Sequence, residues 1–236
     1  LTSFLTQYDV GELVAYEGIS DGIENTNYFV DTTTGRFVLT IFEQHSFEEM
    51  KYFLNLMHHL ADHDVPRADP VADRNGQYLR HFPDNPDGKP IALVERLEGG
   101  SIDDPGVDHC RQLGDAMGRM HKAGLSFDQR QPNPRGPAWC QQTARKVMHK
   151  LDDSLQSMLE AELVYQREKR DAAIPRGVVH ADLFRDNALW RTADEGDNQS
   201  THRFSGIIDF YYPCDDVLLY DLAVTANDWC INSDFT

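Results

Sequence analysis

Near residue 97 this chain passes from mainly strand-like to mainly helical spacing of its apolar residues, and that change constrains its fold more than any other feature. Up to about residue 97 the stretches "LVAYEGIS" (13–20), "NTNYFVDT" (25–32) and "GRFVLTIFE" (35–43) alternate or cluster β-branched and aromatic residues, with the turn signal "TTTG" before the third. That is the pattern of three strands in meander order. One helix follows: Ser46 with Glu49 three residues on is a capping-box signature, and Phe47, Met50, Leu54, Met57 and Leu60 then recur at helical spacing. A further apolar strand, "PIALVERL", ends at the short linker "EGG" (98–100).

Beyond that linker helices dominate. Cys110, Leu113, Met117 and Met120 share one face of "VDHCRQLGDAMGRMHKAG", with Gly124 as its stop. Helical stretches over about 137–150 and 154–172 follow the Pro-rich loop "RQPNPRGP", and the last helix spans roughly 216–231. The strand-like segments "RGVVHADL" and "RFSGIIDFYY" lie between them, separated by the polar hairpin "RTADEGDNQSTHR". The expected fold class is α+β in two lobes: a small antiparallel β lobe (1–97), a hinge, and a larger, mainly helical lobe (98–236).

Charge narrows the partners. At 236 residues and 40% hydrophobic content the chain can bury a real core, but its formal net charge is −17. Duplex nucleic acid is therefore an unsuitable partner, because binding that polyanion needs Lys and Arg to displace counterions. Any anionic substrate would depend on a local metal or basic group. No window approaches the ~18 consecutive apolar residues of a membrane span, and the first residues lack the basic and apolar regions of a signal peptide, so a cytoplasmic protein with no membrane partner is expected. Cys110, Cys140, Cys214 and Cys230 show no zinc spacing and are expected to be reduced and mostly buried. The chain starts with Leu and stops in what reads as a continuing helix, so a longer parent protein is expected.

The chemistry concentrates in "HADLFRDN" (180–187). Asp182 and Asn187 stand five residues apart, as in the catalytic loop H-R-D-L-x-x-x-N, with Ala181 in place of the Arg. Phosphoryl transfer needs a carboxylate beside the acceptor hydroxyl and ligands for a divalent metal. Asp209 in "GIIDF", at the end of a later strand and 22 residues after Asn187, is the candidate second metal ligand, and His180 is read as orienting the loop. Gly18, Gly22 and Asn25 in the first turn could cover nucleotide phosphates through backbone N–H groups, although a Gly-rich turn needs no ligand to explain it. His59 and His63, four apart, are read as a solvated helix face, and His121 as a core or helix-terminus residue.

These motifs resemble the aminoglycoside phosphotransferase and choline kinase superfamily, whose fold is protein-kinase-like. Within it, "GIENTNYFV", "FVLTIFE", "HADLFRDN" and "YDLAVTANDWC" most resemble the homoserine kinases of this fold, over nearly the whole chain. The resemblance implies ATP and Mg²⁺ as cofactors and the side-chain hydroxyl of L-homoserine as acceptor, on the route to threonine. It implies Asp182 as base, Asn187 and Asp209 as magnesium ligands, the backbone of Glu95 and Leu97 as adenine partners, and Asp221 as a brace for the loop. Where the superfamily commonly has a phosphate-binding Lys, this chain has Thr40, which leaves Glu49 without the usual ion-pair role. The homoserine kinases it resembles tend to share that Thr.

A zwitterionic acceptor needs one basic and one acidic contact. Arg185 is the candidate for its carboxylate, Asp215 or Asp228 for its ammonium, and Tyr211 and Trp229 for the pocket wall. Two other expectations stand beside this one: a kinase for another amino alcohol or an aminoglycoside, and a nucleotide-binding pseudokinase, motivated by Thr40 and opposed by the retained Asp182, Asn187 and Asp209.

Overall fold

The computed structural model describes residues 1–236 apart from 21–23, 83–86, 170–172, 195–199 and 232–236. A four-residue helix, α1 (Thr2–Leu5), leads into β1 (Leu13–Ile19), β2 (Asn25–Thr32) and β3 (Arg36–Phe42). These three form the expected meander; β4 (Arg80–Phe82) and β5 (Lys89–Glu95) complete an antiparallel sheet of order β1-β2-β3-β5-β4. Alternation along β3 sends its side chains to two cores. Phe37 and Leu39 join Ile91 and Leu93 of β5 against Leu5, Tyr8 and Val10, whereas Phe42 and Ala92 point to the opposite face and into the larger core. Because the N-terminal segment covers one face and helices the other, the sheet is apolar on both sides.

Helix α2 (Phe47–Ala61) starts at the predicted capping box: Glu49 N–H donates to Ser46 Oγ (3.3 Å) and Ser46 N–H to Glu49 Oε2 (2.9 Å). It buries seven residues, from Met50 to Leu60. Helix α3 (Val107–Gly124) packs on α2 and contributes Leu113, Met117 and Met120 to the larger core. Gly124 is not a left-handed stop, since the cap, Leu125, is right-handed helical. Its reason is contact: a Cβ there would lie 2.9 Å from Cβ of Val178.

α4 (Pro137–Val147) continues as a 3₁₀ turn (148–150) and pairs with α5 (Asp153–Lys169), which buries no residue. The later strands pair differently from their order in sequence. β6 (Arg176–Val179) joins β9 (Cys214–Val217), and β7 (Ala188–Asp194) joins β8 (Ser200–Ile207) in the expected hairpin. The tip of that hairpin, 195–199, lies outside the described residues. The last helix, expected from 216, is α6 (Leu219–Trp229). Residues 214–217 are instead extended because β6 takes its ladder bonds from them, Val179 opposite Cys214 and Arg176 opposite Val217.

The strand-rich part meets the helical part at Gly99, where φ is +107° and a Cβ would fall 2.0 Å from the Trp190 carbonyl. Only glycine fits, and it lets Gly100 exchange backbone hydrogen bonds with Trp190 (3.0 and 2.8 Å). All four cysteines are free; Cys214 is buried and Cys110 half-buried, but Cys140 and Cys230 are exposed, contrary to expectation. Among the described residues no helix is long and apolar enough to cross a membrane.

Candidate active site

The loop from His180 to Asn187 hangs between β6 and β7 and is held from below by one buried carboxylate. Asp221, on the first turn of α6, accepts the His180 N–H (2.8 Å) and the Ala181 N–H (2.7 Å). His121 Nε2 at the end of α3 donates to the same carboxylate (2.8 Å). Ala181 sits at φ +68°, a conformation that costs a non-glycine residue about 1–3 kcal/mol unless its surroundings impose it; the bond to Asp221 does so. His180 is fully buried, its Nε2–H donating to the Ile208 carbonyl (3.0 Å) and its ring edge-on to Phe210. Burial holds its pKa below the usual histidine value despite the nearby Asp221, so the ring is neutral and ties the loop to the strand that leads into Asp209.

Four carboxylates gather above this scaffold. Asn187 is buried; its Nδ2 donates to the Asp182 carbonyl (2.7 Å) and to Asp182 Oδ2 (3.2 Å), which turns its Oδ1 away from that partner. Burial first, and the neighbouring Asp186 second, raise the Asp182 pKa. Asp209 has φ +59° and keeps an exposed surface, while its carboxyl group is largely enclosed by protein. Burial, followed by Asp186, Asp182 and Glu24, pushes its pKa up to about 6. A charge cluster of this kind calls for a counter-cation. Among the described residues, however, no three His, Cys, Asp or Glu side chains could hold a metal on their own.

The other expected residues fall into three groups. Gly18 lies in β1 opposite Tyr28, where a Cβ would make ordinary contact with the Tyr28 ring at 3.9 Å, and Asn25 Oδ1 accepts from Glu43 N–H (3.4 Å). Gly22 lies outside the described residues. At the hinge, Glu95 N–H already donates to the Asp69 carbonyl (2.8 Å), whereas no hydrogen bond among the described residues uses the Leu97 N–H. Thr40 is buried and donates to Asn27 Oδ1 (2.8 Å), next to the hydroxyl of Tyr211. Glu49 is committed to its helix cap.

The residues expected to hold the acceptor are tied to one another or to the scaffold. Arg185 donates from its backbone N–H (2.7 Å), Nε (3.2 Å) and Nη2 (3.2 Å) to Asp228, and from Nη1 to the Asp103 carbonyl (2.6 Å). Asp215 accepts the Gln131 N–H (2.7 Å) and faces Arg130 at 3.6 Å. Tyr211 packs edge-on against Phe42, and Trp229 is buried with its Nε1 donating to the Leu183 carbonyl (3.2 Å). His59 is half-buried against Phe127, its Nε2–H donating to the Ala123 carbonyl (3.0 Å), rather than part of a solvated face. A cleft of about 500 Å³, lined by Ser101, Asp103, Phe184, Arg185, Asp186 and Asp228, opens beside the loop.

Glu24, Arg135, Asp186 and Tyr212 were not singled out in the sequence. Asp186 stood inside the recognised loop, but the others carry no local signal, since separate segments bring them together. Tyr212 donates a short hydrogen bond to Glu24, and the Arg135 guanidinium lies over the Tyr212 ring, 4.8 Å from its centroid.

A buried brace under a polar loop that carries Asp182 and Asn187, with the Asp209 carboxylate close enough to shift with Asp182, is the arrangement expected of a phosphotransferase. The chain belongs to the phosphotransferase enzyme family, which matches residues 15–235. Curated relatives are named homoserine kinase: one from Methylobacillus flagellatus is 47% identical over 236 residues, covering 100% of this chain and 70% of the relative. Another, from Paraburkholderia xenovorans, is 42% identical over 98% of this chain and 70% of its own length. The same fold occurs in the structure of an amicoumacin kinase with AMP-PNP and Ca²⁺ (TM-score 0.72, 16% identity, 96% of this chain and 67% of that one). It also occurs in spectinomycin phosphotransferase with ADP and spectinomycin (TM-score 0.68, 13% identity, 95% and 72%). The two-lobed, protein-kinase-like α+β architecture is thus that of small-molecule kinases.

Proposed function

We propose that this protein is a homoserine kinase, transferring the γ-phosphoryl group of ATP to the side-chain hydroxyl of L-homoserine. The observation that carries this reading is identity of 40–47% to curated homoserine kinases across essentially the whole chain. ATP as donor is supported by the AMP-PNP and ADP bound in the kinases of the same fold.

In this reading Asp182 accepts a hydrogen bond from the acceptor hydroxyl, points its oxygen along the line of attack, and takes its proton as the new O–P bond forms. The bond from the γ-phosphorus to the bridging oxygen breaks, and ADP departs with that electron pair. The Asn187 amide holds Asp182 in place through its Nδ2, which leaves its Oδ1 for another partner. Asn187 and Asp209 would hold Mg²⁺, an assignment supported by the excess of negative charge around Asp209 and by an incomplete protein ligand set, as suits a metal that keeps waters and phosphate oxygens. Bound there, Mg²⁺ would neutralise charge on the transferring phosphates, a task to which Thr40 brings no cation. The free N–H of Leu97 and the carbonyl of Glu95 are the hinge groups offered to adenine, and the backbone around Gly18 and Asn25 would cover the phosphates.

The test is ADP release with ATP and Mg²⁺ against homoserine, choline, an aminoglycoside and no acceptor. Homoserine alone should accelerate release. A faster rate with choline or the aminoglycoside would move the protein to another acceptor class.

A further inference from the structure

The homoserine reading requires a cation for the acceptor's carboxylate in a protein of net charge −17, and the guanidinium expected to serve is already spent. Arg185 gives Nε and Nη2 to Asp228 and Nη1 to the Asp103 carbonyl. A substrate would have to break that set to reach it, with Asp228 left as a competing anion.

Arg135 is placed otherwise. Its loop is fixed at several points to β9. Gln131 and Asp215 exchange hydrogen bonds (2.7 and 2.6 Å), Asn133 Nδ2 donates to Asp216 Oδ2 (2.7 Å), and Arg135 N–H donates to Asn133 Oδ1 (2.8 Å). Asp215 is thus an anchor of this loop rather than a contact for the ammonium. From it the exposed Arg135 side chain lies over Tyr212, which Glu24 holds from the strand side of the cleft. The guanidinium forms no ion pair among the described residues, and its field reaches the Asp182 carboxylate and lowers its pKa against the stronger raising effect of burial. A guanidinium carries five N–H donors, so Arg135 can contact the Tyr212 side chain and still present a fork of donors to a bidentate anion.

Resting on the homoserine reading, we infer that Arg135, rather than Arg185, binds the α-carboxylate of the acceptor and thereby selects an amino acid over a simple amino alcohol. Tyr212 holds the guanidinium against the cleft, so the carboxylate is gripped there while the far end of the four-carbon chain brings the hydroxyl to Asp182. Arg185 and Asp228 then serve as a strut that fixes the loop to α6.

Steady-state kinetics of the unsubstituted protein, Arg135→Ala and Arg135→Lys test this, with L-homoserine against 3-amino-1-propanol, the same skeleton without the carboxylate, in competition. Arg135→Ala should raise the homoserine KM roughly 30-fold or more, with far smaller changes in kcat and in the ATP KM, and should largely abolish the preference for homoserine over the amino alcohol. Arg135→Lys should recover part of it, since an ammonium keeps the charge but not the fork. An unchanged homoserine KM, or an ATP KM that rises as steeply, would overturn the inference; the latter would place Arg135 on the transferring phosphate. If the unsubstituted protein itself ignores homoserine, the functional reading fails and takes this inference with it. Because Arg135 is exposed, a matching melting temperature will separate lost binding from lost folding.

Discussion

Asp209, proposed as a metal ligand, shows what its charged surroundings cost the folded chain. Its pKa in the folded chain is raised from 3.8 to about 6, so the folded state holds a proton that the unfolded chain has already released over that interval. The contribution of this group to stability is therefore fully present below about pH 4 and is lost as pH rises through 6. Asp209→Asn removes the titration. The melting temperature of the nucleotide-free variant, relative to the unsubstituted protein, should climb between pH 4 and pH 7, while Mg-nucleotide ceases to stabilise the variant. A difference constant with pH would contradict the charge assignment. At this scale the sequence was readable where spacing is short: His180, Asp182 and Asn187 share one loop. Glu24 and Arg135 lie more than 100 residues apart, and no local pattern announces that they converge on Tyr212.

Among the elements, α6 is the one on which the proposed catalytic loop depends. Asp221 satisfies two backbone N–H groups at the start of the loop and the His121 ring. Asp221→Ala should destabilise the protein by about 2–4 kcal/mol in urea titration, since it leaves buried donors unpaired. It should lower kcat well beyond any change in the ATP KM, because the loop would lose the conformation that Ala181 adopts at φ +68°. Unaltered stability would mean that water replaces the carboxylate and that the brace is dispensable. The long periodic helices α2 and α3 and the β1–β3 meander were legible because their apolar positions repeat. β9 was not, because "CDDV" owes its extended form to the edge of β6 rather than to its own composition.

Across the whole molecule, the larger core spans the lobe boundary expected near residue 97. Phe42, Met50 and Leu60 from one side pack in a single cluster with Leu113, Met120, Val178 and Phe210 from the other. Two parts that share a core should unfold together. Calorimetry is expected to show one transition, and Leu113→Ala, which removes a buried side chain at a cost of about 2–5 kcal/mol, should move that transition without splitting it. Two separated transitions would show that the strand-rich part folds on its own.

The most direct measurement is identification of the product by phosphorus NMR after incubation with ATP, Mg²⁺ and L-homoserine, using Asp182→Asn as the control. The account predicts a phosphomonoester on the homoserine side-chain oxygen, formed in step with ADP. It also predicts that the Asp182→Asn variant binds ATP but forms that ester about 10²–10⁴-fold more slowly. Free phosphate in place of the ester, or an ester formed as fast by the variant, would contradict it.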